Sequence, residues 1–131
     1  MIELLAAATL YLPWPSVTCA NDPRLDGGRH SALYSPDEQR IVLSLPICGN
    51  LERLQSPEKT VYYEDTFGLF TLAHELSHAS GIEDEHEADC HAIAIWPNVA
   101  RKVKVPAVKI RALREIIPKL NLPMRAHGQS C

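Results

Sequence analysis

The run His74-Glu75-Leu76-Ser77-His78-Ala79-Ser80-Gly81-Ile82-Glu83-Asp84-Glu85-His86-Glu87-Ala88-Asp89-Cys90 joins two helix signatures through a turn. Apolar residues Phe67, Phe70, Leu72, Ala73, Leu76 and Ala79 recur at helical spacing, and no proline lies between Glu58 and Ile95. Gly81 falls where a helix C-cap is expected, just after Ser80. Asp84, followed three residues later by Glu87, is a capping-box pattern that starts a second helix. Residues 59–91 thus predict two helices, with the turn at Ser80-Gly81-Ile82 folding the second back onto the first.

The spacing inside this run also predicts chemistry. Residues i and i+4 project from one helical face, so His74 and His78 can aim an imidazole nitrogen each at a single zinc ion. Glu75 lies beside them, placed to take a proton from zinc-activated water without being a ligand. The bland alternative is a surface helix with two incidental histidines. It loses ground because the helix is strongly apolar, ends just after the motif and is followed at once by the acidic run 83–89.

A catalytic zinc needs a third protein ligand, and that run offers three. Glu85 and Asp89 form a second i, i+4 pair; Glu85 is the favoured ligand, with Asp89 orienting a liganding histidine as in the helical gluzincins it resembles. Asp84 is the first alternative, because residues 74–84 read H-E-x-x-H-x-x-G-x-x-D and so resemble snapalysin-like metzincins. Asp84 is also the best N-cap of the second helix, which would commit its carboxylate to backbone N–H groups. A metzincin further needs a methionine turn after the motif, and the only methionine beyond residue 1 is Met124. Asp89 itself as a ligand is the remaining possibility.

Outward from the motif, the first 45 residues are rich in turn signals. His30–Tyr34 and Arg40–Leu45 flank Ser35-Pro36-Asp37-Glu38-Gln39 and predict a β-hairpin, whose Arg40–Leu45 edge offers strand addition to an extended peptide. Residues 97–120 predict one or two amphipathic helices. There Val103, Val105, Val108, Ile110, Leu113, Ile116 and Ile117 face inward, with Arg101, Lys102, Lys104, Lys109, Arg111 and Arg114 outward. Residues 1–12 have the apolarity of a signal peptide but carry Glu3 where a cation is expected, and are read as a starting helix packed on the domain. Donors for a developing oxyanion would come from His86, His91, His127, Tyr62 or Tyr63, with His91 read first as a supporting or partly buried group. His30 and His127 fall in loop-like segments.

With 131 residues, 46% hydrophobic, the chain has room for one small domain, spanning 1–131, and its net charge of -3 argues against nucleic acid as a partner. Its longest apolar stretch is too short for a bilayer, so no membrane partner is expected. Cys19, Cys48, Cys90 and Cys131 are even in number, widely spaced and without a C-x-x-C pair. Two structural disulfides or four reduced thiols are equally open. Without a convincing leader the expected location is cytoplasmic or virion-associated, and secreted if the cysteines are paired.

Residues 74–92 resemble small metallopeptidase-like proteins of actinobacteria and their phages, in which H-E-x-x-H-x-x-G is followed closely by D-E-x-x-A-[DE]-C. The resemblance implies an α+β fold, a minimal zincin with a small β-sheet or hairpin, an active-site helix and a helical C-terminal part. It implies Zn2+ as cofactor, a peptide or protein substrate, and disulfides Cys48 with Cys90 and Cys19 with Cys131. The expected activity is peptide-bond hydrolysis, with His74, His78 and Glu85 on zinc and Glu75 as general base. The rival readings are a zinc-binding regulatory or interaction module that has lost turnover, and a phage structural protein.

Overall fold

Two strands of a hairpin and one from well upstream make a three-stranded sheet in the computed structural model of the chain, which describes residues 14–28, 31–58, 60–119 and 131. The strands are β1 (Ser16–Cys19), β2 (Ala32–Ser35) and β3 (Arg40–Leu43), in the order β1-β3-β2. The hairpin forms as its sequence predicts, with Leu33 opposite Val42 and Tyr34 opposite Ile41. β1 then adds in parallel to the far side of β3, Val17 opposite Ile41 and Cys19 opposite Leu43. Because β3 is central and bonded on both sides, the Arg40–Leu45 segment is not the free edge its sequence suggests. Among the described residues β2 and β1 are the edge strands.

The strand also stops two residues early. Ser44 is the N-cap of α1 (Leu45–Gln55), its hydroxyl accepting from the Ile47 N–H at 3.4 Å. Three further helices follow: α2 (Tyr63–Ala79), α3 (Glu85–Lys102) and α4 (Ala107–Ile116). The fold is α+β. Val17, Ile41 and Leu43 of the sheet share one core with Leu51 and Leu54 of α1, Leu69, Phe70 and Leu72 of α2, Trp96 and Val99 of α3, and Leu113 of α4. Each such side chain contributes about 1.5–3 kcal/mol of burial, which fixes α2 between α1 and α3.

Two expectations for the C-terminal part change. Pro97 does not begin a new helix but sits inside α3, whose burial of Trp96, Val99 and Ala100 outweighs the ring's cost of about 3 kcal/mol. Lys109 is buried rather than outward-facing. Its ammonium donates to the Arg53 carbonyl at 2.5 Å and to Ser56 Oγ at 3.1 Å, placing a cation at the C-terminal end of α1. Val108, expected inside, is exposed.

The disulfides are Cys19–Cys48 and Cys90–Cys131, not the pairing that the resemblance implied. Sheet register explains the first: Cys19 lies opposite Leu43, and α1 starts at once, bringing Cys48 back over the end of β1. Cys48 and Cys90 belong to helices packed on different sides of α2. Closing chain separations of 29 and 41 residues contributes about 3.5–4 kcal/mol each by loop entropy. No helix among the described residues is long and apolar enough to cross a membrane. The reading of residues 1–12 as a helix, and the loop placements of His30 and His127, lie outside the described residues.

One glycine sets how closely α1 and α2 approach. A Cβ at Gly68 would stand 2.6 Å from Asn50 Cβ, and neither atom is the end of a flexible side chain. Gly68→Ala is expected to destabilise the fold by about 1–3 kcal/mol despite the better helix propensity of alanine. Denaturant unfolding checks it, and an unchanged or raised midpoint would mean that the helices separate freely.

Candidate metal centre

α2 presents His74, Glu75 and His78 in its last two turns, and the turn after it decides what faces them. Ser80 closes the helix, and Gly81 takes a left-handed conformation with φ +110°, which reverses the chain. Two consequences follow. The Ile82 carbonyl comes back to accept from His78 Nδ1 at 2.7 Å. α3 then starts at its N-cap Asp84, whose carboxylate accepts from the Glu87 N–H at 2.9 Å. The N-cap read from sequence is therefore made, and Asp84 is turned to backbone rather than to the histidines.

Glu85 and Asp89, one turn apart on α3, both reach α2. Asp89 Oδ1 lies 2.6 Å from His74 Nδ1, and Glu85 Oε1 lies 2.7 Å from His78 Nε2. Glu85 Oε2 is 3.3 Å from His74 Nε2, and the two Nε2 atoms stand 3.0 Å apart. Hydrogen-bond logic gives the protonation. A backbone carbonyl only accepts, so His78 holds its proton on Nδ1, and the Asp89 carboxylate draws the His74 proton to Nδ1 in the same way. In the neutral form each ring then turns a bare Nε2 lone pair towards the other, with the Glu85 carboxylate closing the third side. Lone pairs gathered this closely are satisfied by a proton on one Nε2 or by a metal ion between them. Donors about 2.0–2.1 Å from a tetrahedral ion stand roughly 3.3 Å apart, close to the separations here, so a two-imidazole, one-carboxylate set fits zinc.

Glu75 is nearly buried, its carboxylate 4.0 Å from His74 Nε2 and outside the convergent triad. Burial pushes its carboxyl pKa up and the Glu85 carboxylate reinforces the shift, while His74 and His78 oppose it in their protonated form. In front of Glu75 and His78 opens a cleft of about 440 Å³, bounded by Tyr34 and Pro36 at the end of β2 and by Ala79, Gly81, Ile82 and Glu83 of the turn. Glu85, 76% exposed, leaves the metal position open to solvent.

The other candidate donors stand elsewhere. Tyr62 and Tyr63 are exposed at the opposite end of α2, about 18 Å along the helix from His74. His86 lies against Cys90, its Nε2 3.6 Å from the sulfur. His91 supports the scaffold: the Ser77 hydroxyl gives its proton to the Ala73 carbonyl at 2.9 Å, so His91 Nδ1 donates to Ser77 Oγ at 2.8 Å and locks α3 to α2. His127 is outside the described residues. Sequence reasoning missed Tyr34, because strand alternation gives its side but not what lies across from it. The Ile82 carbonyl was legible in principle, since a C-cap glycine three residues after His78 returns the chain towards it.

No family model, curated protein or solved structure matches this chain.

Proposed function

We propose that the chain is a zinc-dependent metallopeptidase of the zincin type, acting on an extended peptide. The observation that supports this best is the convergence of His74 Nε2, His78 Nε2 and Glu85 within 3.3 Å, with both rings held by outer hydrogen bonds and a buried carboxylate beside them. His74, His78 and Glu85 would hold zinc, and Asp89 and the Ile82 carbonyl would fix the two rings. Zinc, when bound, supplies a Lewis acid that lowers the pKa of water and polarises a carbonyl. Glu75 takes the proton of the attacking water and delivers it to the leaving amine. Its burial suits that task, because a carboxylate shielded from water is a stronger base. A substrate strand would add to the outer edge of β2, next to Tyr34, rather than to β3. Two disulfides support an oxidising location, hence a secreted enzyme.

Oxidised protein prepared without added zinc is expected to hold one zinc per chain and to cleave unfolded casein. A strong chelator should abolish cleavage, and one equivalent of zinc should restore it. Protein without zinc, or a His74→Ala/His78→Ala variant that keeps it, would overturn the site. A zinc-replete protein inert on a broad peptide library would instead be an interaction module.

A further inference from the structure

We propose that His86, Cys90 and Cys131 form a second metal site, for a thiophilic cation such as Zn2+, which exists only when the Cys90–Cys131 disulfide is reduced. His86 and Cys90 are an i, i+4 pair on α3, the relation His74 and His78 have on α2. Their donor atoms are 3.6 Å apart, and Cys131 Sγ joins them in a cluster with every separation within 4.8 Å. One imidazole and two sulfurs are a zinc-type donor set, with a fourth position left for water. This cluster shares no residue with the triad of His74, His78 and Glu85.

The switch follows from sulfur chemistry. Sulfurs bonded to each other have no thiolate charge to offer, so the oxidised cluster presents an imidazole alone. A dithiol reductant opens the bond by exchange: it gives two electrons and two protons to Cys90 and Cys131 and closes to its own disulfide. Binding a divalent cation then releases one proton from each thiol, leaving two thiolates and a neutral imidazole around it. Cys131 is exposed and Cys90 half-buried, so the reductant has access. The metal in turn withdraws both thiolates from reoxidation, so that the link from α3 to Cys131 is covalent in one redox state and metal-held in the other.

Cobalt(II) tests this on the full chain, because only thiolate ligation gives an intense near-ultraviolet charge-transfer band. Oxidised protein should bind one equivalent without that band. Protein reduced anaerobically and freed of reductant should bind a second equivalent with it. Cys131→Ser should lose the band, and His86→Ala or His86→Asn should weaken the second equivalent by about 100-fold or more while sparing the first. Zn2+ should protect Cys90 and Cys131 from alkylation, read residue by residue by peptide mass. The proposal fails if reduction adds no second equivalent, if the band survives Cys131→Ser, if both His86 variants bind as tightly as the parent, or if reduction abolishes the helical signal.

Discussion

Glu75→Gln is expected to retain one zinc per chain while losing peptide hydrolysis by about 10²–10⁴-fold, the usual worth of a positioned general base. The two side chains have nearly the same shape, so the packing of this almost fully buried position survives. Glu75 lies outside the convergent triad, so the metal affinity should change little. The amide cannot take a proton from water, and turnover falls for that reason alone. Thermal stability should not drop, because a buried carboxylate held against its desolvation cost is replaced by a neutral group. Zinc content, melting temperature and casein cleavage are measured on the same preparation. Equal cleavage by both proteins would remove Glu75 from the chemistry and leave only a metal-binding role for the pocket.

The fold was legible in sequence where local signals agreed and illegible where packing decided. The α2–turn–α3 unit was readable because a helical apolar period, a C-cap glycine and a capping box all fall in register. The hairpin was readable from its proline turn and β-branched flank. Helix α1 was not, because Leu-Pro-Ile-Cys-Gly-Asn reads as a breaker. Pro46 is harmless in the first turn, where its missing N–H has no intrahelical partner, and Ser44 supplies the cap. Strand β1 is four residues between proline-rich turns, stabilised by a parallel ladder to β3 that no local pattern announces. Lys109 misled for a related reason. Its charge marks it as surface, whereas its partner is a carbonyl 56 residues upstream.

The site was more readable than the fold around it. Helical geometry alone puts His74 and His78 on one face and Glu85 and Asp89 on another, and the glycine turn brings the two faces together. What sequence offered only as a preference was the third ligand: three acids within six residues had a claim on the histidines, with Glu85 favoured over Asp84 and Asp89. The N-cap separates them, since a carboxylate that accepts from Glu87 N–H is directed along α3 and away from α2. The disulfides show the opposite case. Four widely spaced cysteines contain no local information about pairing, which here follows from parallel strand register and helix order.

A graded loss of zinc across three single variants should therefore follow from which atoms each acid touches. Glu85→Ala removes a donor from the convergent triad and should weaken zinc the most, by more than 100-fold. Asp89→Ala leaves every donor in place but frees the His74 ring, and should cost about 10–100-fold, the usual effect of losing the hydrogen bond that orients a liganding histidine. Asp84→Ala should leave zinc affinity within a few-fold and instead lower stability by about 1 kcal/mol through the lost N-cap. Competition with a chromophoric chelator gives the affinities, and urea unfolding of the zinc-free proteins gives the stabilities. The two readouts separate ligand from scaffold, because a cap lost at Asp84 lowers the urea midpoint without emptying the site. If Asp84→Ala empties the site while Glu85→Ala binds normally, the third ligand is the snapalysin-type aspartate, and the Asp84 side chain must then leave its cap when zinc binds.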